Sequence, residues 1–191
     1  MPIRLNLGCS TDLRGGEWTN VDIAQPCDQQ ADLALPWPWA DSSVDEIYAA
    51  DIFEHIGDVA NGLAYDFRGV APGGAGVAVK RHWSGRVHVM NEAWRVLKPG
   101  GCLVMECPDA AKGAGQWQDP THVSPWTPNA LQYYTDGSPA HKRFAAAYGI
   151  AARFKVLSVT ERLYSETAGE LSGYGVGCNV WKFTARLEAV K

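Results

Sequence analysis

The stretch Leu5 to Asp22, LNLGCSTDLRGGEWTNVD, constrains the fold more than any other part of this chain. An apolar run from Ile3 to Leu7 enters the small-residue turn Gly8-Cys9-Ser10, and a second run, Thr19 to Ile23, carries Asp22 near its end. A turn of this kind lets backbone N–H groups approach a nucleotide-like ligand, and an acid at the end of the next strand accepts hydrogen bonds from a ribose. Gly8-Cys9-Ser10 lacks two of the glycines of a G-x-G-x-x-G fingerprint, and a glycine after a strand also serves as a plain turn. Only residues 9 to 17 separate the two runs. A parallel crossover with a complete helix needs about a dozen residues, so the first helix is predicted to be shortened to a turn or missing.

Further elements follow from periodicity and punctuation. Ala31 to Leu35 reads as a brief extended piece ended by Pro36, and Val44 to Ala50 as a strand entered through Asp41-Ser42-Ser43. From Val87 to Lys98 the period becomes helical, with Val87, Met90, Trp94 and Leu97 on one face and Asn91, Glu92, Arg95 and Lys98 elsewhere. Pro99-Gly100-Gly101 stops this helix, and Cys102 to Cys107 forms another strand. Thr127-Pro128 and Ser138-Pro139 each pair an N-cap with a proline at the first helical position, which predicts helices over about 128–134 and 139–148. Gly149 closes the second. Phe154 to Leu163 and Val176 to Leu187 are strands of a C-terminal antiparallel hairpin. Strands alternating with helices and then a hairpin imply an α/β sheet, mostly parallel, with an antiparallel edge. Residues 59–85 are rich in glycine and show no clear period; they read as a loop, or as a lid over a site.

With 191 residues the chain is expected to form a single domain. The net charge of −4, with Lys and Arg scattered, gives no electrostatic footprint for nucleic acid. The N-terminus turns polar too quickly for a signal peptide, and no window has the length of a membrane span, so the expected location is cytoplasmic. Cysteines at 9, 27, 102, 107 and 178 are odd in number and contain no C-x-x-C pair. Reduced, mostly buried thiols are expected, with no metal site. Trp37, Trp39, Trp117 and Trp126 fall in loop-like segments, where an indole lines a pocket or caps a core.

The turn at Gly8, Asp22, the acids Asp32 and Asp41, and Asp51-Ile52-Phe53-Glu54-His55 all fall at carboxyl ends of strands if the sheet is parallel, which is where open α/β sheets bind ligands. Together LNLGCSTD (5–12), NVDI (20–23), ADLALPWPWADSSVDEIYAADIFEHI (31–56) and EAWRVLKPGG (92–101) resemble class I S-adenosylmethionine-dependent methyltransferases of the small type 11 group. The resemblance covers residues 3 to 110 well and the remainder loosely. The D-S-S-V-D strand entry, EHI and RVLKPGG in that order are its specific part.

The resemblance implies a Rossmann-like sheet in one methyltransferase domain over 1–191, with a Gly-rich insertion at about 59–85, and S-adenosyl-L-methionine as cofactor. Asn6, Leu7, Gly8 and Cys9 would form the loop under its methionine end. Asp22 would bind the ribose hydroxyls and Ile23 would pack on the adenine, whose edge would meet Asp32 and Leu33. Asp51 and Ile52 would line the cleft near the sulfonium, with His55 following on the loop. On the acceptor side, QWQDPTHVSPWTP (116–128) offers His122 as a general base and Asp119 to orient it.

Three features depart from the family: GCS in place of GxG, the shortened first helix, and the 59–85 insertion, where the family runs directly into its next helix. The position after the fourth strand reads Asp51-Ile52-Phe53-Glu54, not the Asn/Asp-Pro-Pro-Tyr/Phe of amino-methylating DNA enzymes. The expected acceptor is therefore a small molecule or sugar, methylated on oxygen or nitrogen, with nucleic acid and membrane disfavoured as partners. The competing readings are a non-catalytic cofactor-binding protein of the same fold and a nicotinamide-dependent oxidoreductase, which calls for the glycines and helix that are lacking.

Overall fold

The computed structural model describes residues 1–57, 84–165 and 179–191. Nearly all of the Gly-rich insertion and the start of the last expected strand lie outside these residues. The strands are β1 (Arg4–Leu7), β2 (Trp18–Asp22), β3 (Gln29–Gln30), β4 (Val44–Ala50), β5 (Leu97–Gly113), β6 (Phe154–Ser165) and β7 (Asn179–Ala189). They form one sheet in the order β3-β2-β1-β4-β5-β7-β6. The pairs from β3 through β5 are parallel, whereas β7 runs antiparallel to both β5 and β6. The mostly parallel α/β sheet with an antiparallel C-terminal hairpin is thus the observed architecture.

Between β1 and β2 there is no helix. Polar side chains hold the connection instead. Asn6 Nδ2 donates to the Asp12 carbonyl at 2.8 Å and to Asn20 Oδ1 at 3.0 Å. Asn20 exchanges hydrogen bonds with the backbone of Arg14, and its own N–H and Nδ2 both donate to Asp28 Oδ2. Buried amides paired in this way fix the loop as a ladder of backbone bonds would. The Arg14 guanidinium then lies 3.5 Å from the centroid of the Tyr48 ring and 5.0 Å from that of Trp18.

Alternation along the strands sends Leu5, Leu7, Val21, Ile47, Ala49, Leu103, Met105, Ala185 and Leu187 to one face, none more than 1% exposed. They join one core with Val89, Met90, Ala93 and Val96 of helix α1 (Gly85–Val96) and with Phe53, Trp126 and Phe154. Side chains of the opposite face, among them Arg4, Trp18, Glu46, Tyr48, Val104, Glu106, Thr184 and Arg186, are half-buried or exposed.

Several sequence expectations are refined here. The extended pairing after β2 is at Gln29–Gln30, and Ala31 to Leu35 instead turns, with Asp32 Oδ1 accepting from Ala34 N–H and the Asp32 carbonyl from Leu35 N–H. Helix α1 ends at Val96, and its buried stripe is centred on Val89, Met90, Ala93 and Val96, with Trp94 at its margin. Leu97 already pairs with Val44, and Cys102 with Glu46, so Lys98 to Gly101 bulge out of β5, with Gly100 at φ +75°.

The 128–134 segment is a 3-10 helix over Pro128–Tyr133 with Thr127 as its cap. Helix α2 (Gly115–Gln118) follows β5. Helix α3 (Pro139–Tyr148) has the predicted ends: Ser138 accepts from His141 N–H and Gly149 closes it at φ +68°.

The motif EAWRVLKPGG is architectural. Arg95 Nε and Nη2 fork onto Glu92, Nη2 also meets the Trp37 carbonyl, and Nη1 meets the Trp39 carbonyl and Asp41. Glu92 accepts in addition from Trp37 N–H at 2.7 Å. Lys98 spans both oxygens of Asp45 at 2.8 Å. These bonds staple the end of α1 and the start of β5 to the loop leading into β4 and to the start of β4 itself, at the amino ends of the two strands.

Candidate active site

In the order 3-2-1-4-5 the direction of strand succession reverses between β1 and β4, and open α/β sheets bind ligands in the crevice at that point. Gly8 stands at the end of β1 with φ +64°. A Cβ there would come within 2.6 Å of Ile52 Cβ and Cγ1, so the side chain following β4 occupies the space the glycine leaves open. Ser10 also has positive φ, and its N–H donates to Asp22 Oδ2 at 2.8 Å, while Ala24 N–H donates to Asp22 Oδ1 at 3.0 Å. The Asp22 carboxylate is thereby clamped at the strand end beside the glycine turn, with lone pairs left for a ligand. Ile23, next to it, is 63% exposed.

The other residues expected on the cofactor side are arranged unevenly. Asn6, Leu7 and Cys9 are buried, Asn6 within the loop network described above and Leu7 in the core. Asp32 is exposed at its turn, whereas the Leu33 side chain is buried in the core and its carbonyl accepts from Trp37 Nε1. Asp51, at φ +50°, is ion-paired to Lys182 of β7, which also lies 3.7 Å from Glu106. Burial works against the Lys182 charge, but the Asp51 contact outweighs it and raises the lysine's pKa. No sequence signal had singled out Lys182, because only the antiparallel return of β7 beside β5 brings it to this edge.

The second group gathers the acceptor-side candidates. His55, in the 3-10 turn Phe53–His55, faces His122 edge-on with ring centroids 4.6 Å apart. Expected on the cofactor side, His55 thus joins His122 and the 119–122 turn. Ser124 N–H donates to the Glu54 carbonyl at 2.9 Å and Ser124 Oγ to that of Ile56, so the two segments are tied along their backbones.

The imidazole tautomers follow from the hydrogen bonds. His122 Nδ1 is 3.1 Å from the Gly115 carbonyl, which only accepts, so Nδ1 carries hydrogen and in the neutral ring the lone pair is on Nε2. The Thr121 hydroxyl donates to Asp119 Oδ1 at 2.6 Å and therefore accepts from His55 Nδ1 at 3.0 Å. His55 Nε2 is likewise left basic. Burial, then the neighbouring His122, lower the His55 pKa and favour the neutral ring. Asp119 lies 3.7 Å from His122 Nε2, and the bonds from Thr121 hold its carboxyl pKa below the usual value.

Glu54 received no role from the sequence, although it sits in the EHI motif. Its side chain is fully buried, and neither carboxylate oxygen has a hydrogen-bond partner among the described residues. Burial raises its pKa to about 8, and the nearby Cys107 thiol is pushed well above its usual value, again chiefly by burial.

Trp126 is wholly buried between Phe53 and Tyr134, and Trp37 packs against Trp39, so these indoles belong to the core. Trp117 is 66% exposed. Cys9, Cys27, Cys102 and Cys107 are free thiols. No described helix is long and apolar enough to cross a membrane.

No protein-family model matches the chain, and no curated protein matches it with significant sequence similarity. Solved structures do. A SAM-dependent methyltransferase from Methanosarcina mazei superposes with a TM-score of 0.55 at 13% identity, over 98% of this chain and 92% of that one. A SAM-dependent methyltransferase from Archaeoglobus fulgidus gives 0.50 at 14% identity, over 98% and 86%. The [4+2]-cyclase SpnF gives 0.52 at 14% identity, over 99% and 74%. The chain has the fold of the class I S-adenosylmethionine-dependent methyltransferases.

Proposed function

We propose that this protein transfers a methyl group from S-adenosyl-L-methionine to a small-molecule or sugar acceptor, on oxygen or nitrogen, and does so in the cytoplasm. One observation carries the reading: the Gly8 turn at the β1–β4 crevice and the clamped Asp22 at the end of the adjoining β2 share one edge of a sheet with the methyltransferase fold. In this reading Asp22 binds the ribose hydroxyls, Ile23 packs on the adenine, and Asp32 and Leu33 meet the adenine edge. The backbone from Asn6 to Cys9 underlies the methionine end, and Asp51 and Ile52 border the sulfonium.

Methyl transfer from a sulfonium is an in-line displacement whose donor is already activated. The protein has to align acceptor oxygen or nitrogen, methyl carbon and sulfur, and to take up a proton where one is released. Phe53, Glu54 and His55 follow Ile52, so the histidine pair begins three residues beyond the wall of the cofactor crevice. His122 Nε2, with its lone pair free, is the group that accepts the acceptor's proton, and Asp119 stabilises the imidazolium that results.

Calorimetry with S-adenosylmethionine, S-adenosylhomocysteine and NAD tests the reading. Binding of the first two and not the third is the expected result; absence of either sulfur ligand's binding at millimolar concentration overturns it. The similarity to SpnF shows that this fold also serves other chemistry, so release of S-adenosylhomocysteine upon turnover is the further measurement that a methyltransferase must pass.

A further inference from the structure

Glu54, His55 and His122 each present one ligand atom within 4.8 Å of the others. From this geometry we infer a binding site for a divalent first-row transition cation, held by the Glu54 carboxylate and the two imidazoles. The sequence pointed to no metal, since its cysteines are wrongly spaced and the two histidines lie 67 positions apart. Only folding assembles the set.

Three features separate this cluster from a chance meeting of polar side chains. Glu54 is completely buried, yet its oxygens have no hydrogen-bond partner among the described residues. A buried carboxylate in that condition is costly unless a proton or a cation meets it. Both histidines have Nδ1 committed to an oxygen, His122 to Gly115 and His55 to Thr121, which leaves Nε2 as the nitrogen each can offer a ligand site. A second-sphere acceptor on the far nitrogen is the usual companion of a metal-bound histidine, and here it continues from Thr121 to Asp119. Finally, the groups facing the cluster are suited to a cation: Asp51, Asp119 and the Cys107 thiol are anionic or neutral, and the Lys182 charge is already matched by Asp51 and Glu106.

Two imidazoles and one carboxylate suit zinc or iron(II) and leave coordination positions open. The use of the ion rests on the methyl-transfer reading. An acceptor hydroxyl occupying an open position becomes more acidic and is fixed for attack. Its oxygen forms a bond to the methyl carbon, the carbon–sulfur bond breaks with its electron pair passing to sulfur, and the hydroxyl proton leaves to solvent. The products are a methyl ether, S-adenosylhomocysteine and a proton. The substrate class is thereby narrowed to oxygen acceptors, and in this arrangement His122 serves as ligand in place of base.

The test is calorimetric titration of the full chain with zinc chloride, and cobalt(II) absorption to report the donor atoms. Wild type is expected to bind one zinc and to give a cobalt d–d band without sulfur charge transfer. Glu54→Gln, His55→Ala and His122→Ala should each weaken zinc at least about 100-fold, and Thr121→Val about 10–100-fold as an outer-sphere partner. Far-UV circular dichroism identifies any variant that fails to fold; Thr121→Val changes an exposed hydroxyl outside the core and keeps the test informative. Failure of the folded wild type to bind zinc overturns the site, as does undiminished affinity in Glu54→Gln or a thiolate spectrum. S-adenosylhomocysteine binding, measured in parallel without metal, separates the two ideas. If it binds and zinc does not, the site falls alone; if zinc binds as stated and it does not, methyl transfer falls and the site stands.

Discussion

Asn6 and Asn20 pair side chain to side chain across parallel strands β1 and β2, 3.0 Å from Nδ2 to Oδ1, where the usual architecture places a helix over the sheet. The pair and Asp28 anchor the short connection that presents Ser10 N–H to Asp22. Asn20→Leu removes one hydrogen bond from Asn6 Nδ2, one from Asp28 Oδ2, and both from the Arg14 backbone, while Asn6 keeps the Asp12 carbonyl and Asp28 keeps Asn20 N–H. Each buried polar group so orphaned costs about 1–3 kcal/mol. A fall in Tm together with weaker S-adenosylhomocysteine binding is expected; a loss of affinity at unchanged stability would contradict the anchoring role.

Asp22→Ala removes the acceptor for Ser10 and Ala24 N–H and the proposed ribose contact. Hydrogen bonds to charged groups contribute about 1.5–3 kcal/mol, which corresponds to roughly 10- to 100-fold in affinity. Calorimetry with S-adenosylhomocysteine reads this directly, and an unchanged dissociation constant would show that Asp22 does not meet the ribose.

Gly8→Ala combines a positive φ with overlap on Ile52. The left-handed backbone alone costs about 1–2 kcal/mol for a residue with a Cβ. Stability and cofactor affinity should both fall, and pairing the change with Ile52→Ala should recover part of the loss. Thermal melts of the two single variants and the double variant check the coupling.

The Glu92–Arg95 fork predicts a pH effect. Burial opposes ionisation of Glu92, but the bonds from Arg95 and from Trp37 N–H prevail and leave its folded pKa below the ordinary 4.5. Because the folded pKa is depressed, this contribution to stability is complete above the unfolded value and disappears as pH falls through the folded one. Denaturant unfolding from pH 7 down to 3 should show the loss, and Glu92→Gln should flatten it while lowering stability at pH 7. Arg95→Lys, which keeps charge without the fork, should lose about 1–3 kcal/mol through unpaired Trp37 and Trp39 carbonyls.

His122→Ala is expected to abolish turnover with little change in affinity for S-adenosylhomocysteine, whether the imidazole takes a proton or holds a cation. Full activity in this variant would remove His122 from the chemistry. Asp119→Asn, which keeps the turn but not the charge, should reduce turnover more mildly, by about tenfold as an outer-sphere change.

Local signals were readable wherever a residue acts through its own stretch of backbone. Apolar runs bounded by turn residues gave β1, β4 and the middle of β5, the Ser138-Pro139 and Gly149 pair gave both ends of α3, and the few residues between Leu7 and Trp18 left no room for a helix. Gly8 and Asp22 were legible because a turn and a strand end have fixed chemistry. The motif EAWRVLKPGG was visible as a pattern, but its purpose was not: Arg95 serves carbonyls 56 and 58 positions away. The same limit hid the Glu54, His55 and His122 cluster, Lys182 beside Asp51, and the burial that leaves a carboxylate without a partner. These depend on desolvation and on contacts between distant segments, quantities that come into being only when the chain packs. The sequence by itself determined most of the strands and turns in their succession along the chain; tertiary structure decided which polar groups meet, and therefore what chemistry they can perform.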